Sequence, residues 1–130
     1  MKKSDYDQLT NEIISAAIEV HRELGPGLLE SVYEVCLVEE LRKKNLLVEQ
    51  QVKLAIVYKG KSLNKEFIID LLVQDEVIVE LKAIELILPV HEVQLVTYLK
   101  LADKRLGLLI NFNVPLLKDG IRRRVNKLIE

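Results

Sequence analysis

The sequence predicts an α/β (α+β) fold: a mixed sheet of four to five strands, an antiparallel meander plus one parallel strand, flanked by helices. Three observations carry this. Apolar residues recur with helical period over residues 6–24, 28–44 and 90–104. Between Leu46 and Ala83 the period changes to two, with β-branched residues and short polar turns. The short apolar run 106–110 follows the last long helix, and a strand–helix–strand order implies a right-handed crossover that lays this strand parallel to its predecessor.

Composition bounds the reading. The chain has 130 residues, 49% hydrophobic and 30% charged, which fits one domain over residues 1–130 with a real core and argues against disorder. No apolar run approaches the roughly 20 residues of a membrane span, so no membrane partner is expected. The N-terminus is polar and shows no signal peptide, and the single Cys36 excludes an internal disulfide, so a reducing, cytoplasmic setting is expected. Cys36 reads as a small core residue. The net charge of −1 argues neither for nor against nucleic acid, because a local basic patch can act under a neutral total.

In the first helix Leu9, Ile13, Ala16, Ala17, Val20 and Leu24 share a face, Ser4 or Asp5 can cap the start, and Gly25-Pro26-Gly27 stops it. His21 reads as a surface or boundary residue. The second helix offers the stripe Leu28, Leu29, Val32, Tyr33, Cys36 and Leu37. At about 100° per residue Glu30 falls at the edge of that stripe. Two readings stay open for it: a first-turn carboxylate favoured by the helix dipole, or an acidic group reaching into a site. In the first strand Val52, Leu54, Ile56 and Tyr58 share a face, and Lys59-Gly60-Lys61 turns the chain into the second strand.

The second strand ends in Phe67-Ile-Ile-Asp70-Leu-Leu-Val73 and the third is Val77-Ile-Val-Glu80-Leu-Lys82-Ala83. Both are apolar on two faces, as buried strands are. Glu80 and Lys82 point the same way. If Gln74, Asp75 and Glu76 form a three-residue loop, Asp70 stands opposite Glu80, with Cβ atoms about 5 Å apart. Two buried carboxylates that close share a proton or hold a cation. A hard divalent ion takes oxygen ligands and often only one or two protein carboxylates. The alternative is a structural ion pair of Lys82 with Asp70 or Glu80. A two-residue loop would shift the register and weaken the argument.

Pro89 opens the third helix, whose stripe is Val90, Leu95, Tyr98, Leu99, Leu101 and Ala102, with Gln94 projecting within it. Gln94 either satisfies a backbone group or faces a polar site. His91 reads as a cap or surface group. After the strand at 106–110 and a loop at 111–115, residues 117–129 fit either a helix, through Ile121, Val125, Leu128 and Ile129, or an edge strand, through Ile121, Arg123 and Val125. Arg122, Arg123, Arg124 and Lys127 are the densest basic cluster, read either as a solvated edge that blocks aggregation or as phosphate contacts. Lys59 and Lys61 at the hairpin turn are further candidate nucleic-acid contacts.

The order helix, helix, three antiparallel strands, helix, strand, with D-x9-E-x-K on the second and third strands, resembles the PD-(D/E)xK nuclease superfamily and its restriction-endonuclease-like core. It is similar in particular to the GxxExxY branch, whose naming motif stands here as Gly27-Leu-Leu-Glu30-Ser-Val-Tyr33. The helix motif from His91 to Lys100 and the strand motif from Gly107 to Phe112 match that branch in order, so the resemblance runs from about Leu9 to Asn126. It implies a Mg²⁺-dependent (or Mn²⁺-dependent) nuclease acting on DNA ahead of RNA. Asp70 and Glu80 would bind the metal, helped by the carbonyl of Leu81. Glu30 would support the metal or its water, Lys82 would orient or deprotonate the water, Gln94 would steady the site, and Tyr33 and Tyr98 would stand behind these residues. Ile69 replaces the motif's proline. The chain carries no DNA-reading module, so a homodimer, an accessory protein or a structured substrate is the expected source of selectivity. The alternative is a catalytically silent module of the same fold that binds nucleic acid or a protein.

Overall fold

The computed structural model describes residues 1–128. Its elements in chain order are helix α1 (Lys3–Leu24), helix α2 (Glu30–Lys43), strands β1 (Val48–Tyr58), β2 (Lys61–Val73) and β3 (Val77–Lys82), helix α3 (Pro89–Ala102), strand β4 (Leu106–Asn111), a 3-10 turn (Leu117–Gly120) and strand β5 (Ile121–Val125). The five strands form one sheet in the order β1-β2-β3-β4-β5. Only β3 and β4 are parallel; the other neighbours are antiparallel. The predicted meander plus one parallel strand is therefore present, and the chain after residue 117 resolves into a 3-10 turn and an edge strand rather than a helix. Ile129, which counted toward the helical alternative, lies outside the described residues.

Helices cover both faces. Tyr6, Leu9, Ile13, Ala16, Ala17 and Val20 of α1 and Tyr33, Leu37, Val38 and Leu41 of α2 pack on Leu71, Val73, Val77, Val79, Leu81, Leu106, Leu108 and Ile110. On the other face Leu95, Tyr98 and Leu99 of α3 pack on Ile69, Leu72, Ile78 and Leu109. Because β3 and β4 are buried on both sides, they read as continuous apolar runs. Gly107 lets α3 lie close: a Cβ there would sit 2.7 Å from Cδ1 of Leu95.

Three details correct the sequence reading. The cap of α1 is Lys2, one turn earlier than expected; Asp5 accepts from the backbone N–H of Lys2 at 2.9 Å instead of capping. In α2 the core stripe is Tyr33, Leu37, Val38 and Leu41, while Leu28, Leu29 and Val32 are exposed. This helix has two apolar stripes and only one sheet to face. Tyr33 decides between them, stacking on Phe112 at 4.4 Å between ring centroids. In α3 Val90 and Leu101 of the expected stripe are likewise exposed.

Candidate functional site

The β2–β3 connection is the three-residue loop Gln74-Asp75-Glu76, with Gln74 and Asp75 both in the left-handed region at φ 55°. Short polar bonds hold it: Leu47 N–H donates to Gln74 Oε1 at 2.6 Å, and Tyr6 O–H to Glu76 Oε2 at 2.9 Å. The loop sets the register Val73↔Val77, Leu72↔Ile78 and Leu71↔Val79. The next pair in this series is Asp70 and Glu80, and there the ladder ends. Asp70 N–H donates to Glu80 Oε2 at 3.1 Å, and Leu81 N–H donates to Asp70 Oδ2 at 2.8 Å. Each carboxylate takes a backbone donor of the opposite strand, so the strands fork around two acids.

Alternation along β2 also changes phase at this point. Leu71 and Val73 pack beneath α1 and α2, whereas Phe67 and Ile69 pack beneath α3. Across the ladder, between the pairs Gln50↔Leu71 and Val52↔Ile69, Gln51 adopts φ 52°. A local kink therefore sits beside Asp70, of the kind that re-aims side chains near functional sites.

Glu80 is 7% exposed. Burial, the hydrogen bond to Asp70 and the like charge of Asp70 push its carboxyl up to about 9, against the pull of the Asp70 N–H and of Lys82. At neutral pH a proton thus compensates the pair. Tyr98, buried on the α3 side, has its hydroxyl raised by burial and then by the charges of Glu80 and Asp70. Its ring lies 5.2 Å from that of Phe67. Lys82 is half-buried, two residues along β3 on the face that carries Glu80.

The other predicted residues are placed elsewhere. Glu30 and Gln94 are both exposed: Glu30 keeps the face of Tyr33 and Leu37 but sits in the open first turn of α2, and Gln94 lies outside the buried set Leu95, Tyr98 and Leu99 of α3. Among the described residues no three His, Cys, Asp or Glu side chains gather at one point. Tyr33 holds the α1–α2 loop, donating to Gly25 O at 2.5 Å and accepting from Leu28 N–H at 3.2 Å. His91 accepts from Leu88 N–H at 2.9 Å as a helix cap, and His21 bonds Val114 O at 2.8 Å. Arg122 and Arg124 meet Glu92 of α3, and Arg123 meets Asp7 of α1 at 3.4 Å. Lys59 and Lys61 are exposed on the hairpin turn. A hollow of about 530 Å³ between α1 and α2, lined by Asn11, Ser15, Glu19, Arg22, Glu40 and Lys44, contains neither Asp70 nor Glu80.

Two contributors escape the sequence reading. Asn111 stands in register opposite Lys82 and is 1% exposed. Its amide donates to Ile84 O at 2.9 Å and accepts from Ile84 N–H at 3.0 Å and Asn113 N–H at 3.2 Å, while Phe112 N–H donates to Lys82 O at 2.9 Å. The chain leaving Lys82 is thereby fixed. A lone amide closing the apolar run LGLLIN was the available signal, since a buried amide must be bonded. Glu34, rather than Glu30, is the α2 carboxylate that reaches the sheet, accepting from Gln51 at 2.8 Å and Gln50 at 3.1 Å.

The donor set suits a hard divalent cation. Two carboxylates interlock at one point and already require compensation by a proton, and such an ion often takes only one or two protein carboxylates. A family model described as the PD-(D/E)XK nuclease superfamily matches residues 7–124. No curated protein and no solved structure matches the chain.

Proposed function

The chain belongs to the PD-(D/E)XK nuclease superfamily, and from that premise we propose that it hydrolyses phosphodiester bonds at the fork of Asp70, Glu80 and Lys82. The observation that supports this is the interlocked carboxylate pair, Glu80 buried and Asp70 half-buried, with a lysine on the same strand face as Glu80. A purely structural pair would be better served by apolar residues, because burying like charges costs stability. The substrate proposed is DNA, ahead of RNA, and the ion Mg²⁺, with Mn²⁺ as a substitute. Asp70 and Glu80 would hold it, with the carbonyl of Leu81. Bound there, a divalent ion supplies Lewis-acid polarisation of a phosphoryl oxygen and a water of lowered pKa.

The chain's own groups do the rest. Lys82 sets a positive charge where the phosphate becomes more negative and orients the attacking water. Asn111 holds Lys82 by fixing the backbone that follows it. Glu30 assists through water, since no third carboxylate joins the pair, and Gln94 lines the approach from α3. Tyr98 keeps its proton and packs behind the acids. The motif from Gly27 to Tyr33 supports assigning the chain to the GxxExxY branch, and we read it as one cytoplasmic domain that gains selectivity from a second copy or an accessory protein.

Exposure of both Glu30 and Gln94 favours a second reading, a silent module that binds without cleaving. Cleavage of linear, branched and single-stranded DNA in Mg²⁺ separates the two. Lys82→Ala should lower the rate about 10²–10³-fold, the usual cost of removing one transition-state charge contact, with little change in melting temperature. Binding by the wild type with no turnover in Mg²⁺ or Mn²⁺ would establish the silent module.

A further inference from the structure

The sequence offers two basic clusters, and the fold treats them differently. The guanidinium groups of β5 are taken up within the chain: Arg122 and Arg124 by Glu92, Arg123 by Asp7. The β1–β2 hairpin is the opposite case. Residues 53–65 contain four lysines and no acid, in a chain whose net charge is −1. Lys53 is paired with Glu66 at 3.7 Å. Lys59, Lys61 and Lys65 are exposed, and among the described residues none has a carboxylate partner. Lys59 Nζ lies 5.4 Å from the ring centroid of Tyr58, which is itself 59% exposed.

The hairpin also stands in a useful place. Its tip is a two-residue turn with Lys59 at φ 49° and Gly60 at φ 77°, the left-handed pair that keeps two strands tightly joined. Continuing the β2–β3 register puts Lys82, the last residue of β3, opposite Ile68. Residues 61–67 of β2 therefore run past the end of β3, beside β1 alone and with an irregularity over residues 63–65, at the end of the sheet where Asp70 and Glu80 sit. The register shifts between Ala55↔Glu66 and Val57↔Ser62, so two residues of β2 are taken up in a bulge near Lys65; at about 3.3 Å per remaining residue, Lys61 is roughly 23 Å from Asp70 along the ladder. An arm of about 23 Å covers about seven base steps of a duplex, at 3.4 Å each.

We infer that the β1–β2 hairpin is an arm that grips the phosphate backbone of a nucleic-acid duplex through Lys59, Lys61 and Lys65, and so sets where the strand crosses the fork. The inference rests on the nuclease reading for the identity of the polymer, but not on turnover. Lysines on an edge hairpin also discourage strand-to-strand association. That role alone predicts no dependence of duplex binding on these residues.

The test is equilibrium binding of a 24-base-pair DNA duplex, and of an RNA duplex of the same sequence, in EDTA over a range of salt. The arm predicts that Lys59→Gln/Lys61→Gln/Lys65→Gln makes the plot of log affinity against log salt shallower by about 2.7, at about 0.9 per phosphate contact. Replacing the same three residues by Arg should keep the wild-type slope. Melting temperatures of the variants confirm that the fold is retained. A wild-type slope in the Gln variant overturns the arm and leaves the nuclease reading standing. Wild-type protein that binds with the predicted slope change but never cleaves supports the arm and overturns that reading. No binding of either duplex by the wild type overturns the arm, and the cleavage assays in Mg²⁺ then decide the nuclease reading separately. The polymer that shows the larger slope change identifies DNA or RNA as the ligand.

Discussion

Asp70 and Glu80 lie on two strands joined by a three-residue loop, whereas Glu30 and Gln94 sit on helices that reach the sheet only through packing. The first pair is brought together by local geometry. Once the loop length is set, the register follows, and the two acids must meet. The helix residues are placed by which apolar stripe wins the sheet, and α2 offers two stripes. Glu30 and Glu34 share a helix face, but Glu30 sits exposed in the first turn while Glu34, one turn further along, touches β1. A hairpin fixes its chemistry through chain connectivity; a helix does so only through tertiary contacts.

This contrast can be sharpened experimentally. The largest effect belongs to Glu80. Its carboxyl is raised from 4.5 to about 9 by burial and by Asp70, so the folded metal-free protein holds a proton that the unfolded chain releases. The stability this proton contributes is complete below about pH 4.5 and is lost as pH rises through about 9. Within that window the slope approaches about 1.4 kcal/mol per pH unit. Urea melts in EDTA between pH 5 and 9 should show the decline, and Glu80→Gln should flatten it. A wild-type profile as flat as that of the variant would break the account of the fork.

An intermediate effect is expected at Asn111. Removing its amide leaves both backbone groups of Ile84 unpaired, so Asn111→Ala should lose about 2–3 kcal/mol in urea melts. It should also depress kcat more than KM, because Lys82 is then less well held. Loss of stability with unchanged kcat would make Asn111 a purely structural amide. The smallest effects belong to the helix residues. Glu30→Gln and Gln94→Ala should each change stability by less than about 0.5 kcal/mol, as exposed substitutions do. Stability losses above 1 kcal/mol in either would place that side chain in contacts the fold does not show.

Much of the fold is legible in the sequence because local rules agree with each other. The period-two segments with their turn residues give β1 to β3, and the apolar run after α3 gives the parallel β4. Asp70, Glu80 and Lys82 stand out as charges inside apolar strands. What stays hidden depends on tertiary context. The kink at Asp70 and Gln51 leaves no trace in the apolar pattern, because residues 67–73 are apolar on both faces anyway. Val90 and Leu101 look like core yet face water, because α3 presents only Leu95, Tyr98 and Leu99 to the sheet. The arginines of β5 look free in the sequence, and only the fold reveals Glu92 and Asp7 beside them.

The central claim is that the fork is a cation site and not a structural acid pair. Its most direct test is the melting temperature at pH 8 in EDTA, in 10 mM Mg²⁺ and in 10 mM Mn²⁺, for wild type and Asp70→Asn. Asparagine keeps an oxygen for the Leu81 N–H but removes the charge. With a dissociation constant near 1 mM, mass action predicts about 1.4 kcal/mol of stabilisation and a rise of roughly 3–5 °C in the wild type. Asp70→Asn should show no rise. Equal melting temperatures in EDTA and in metal for the wild type, or an equal rise in the variant, would contradict a cation site at Asp70 and Glu80.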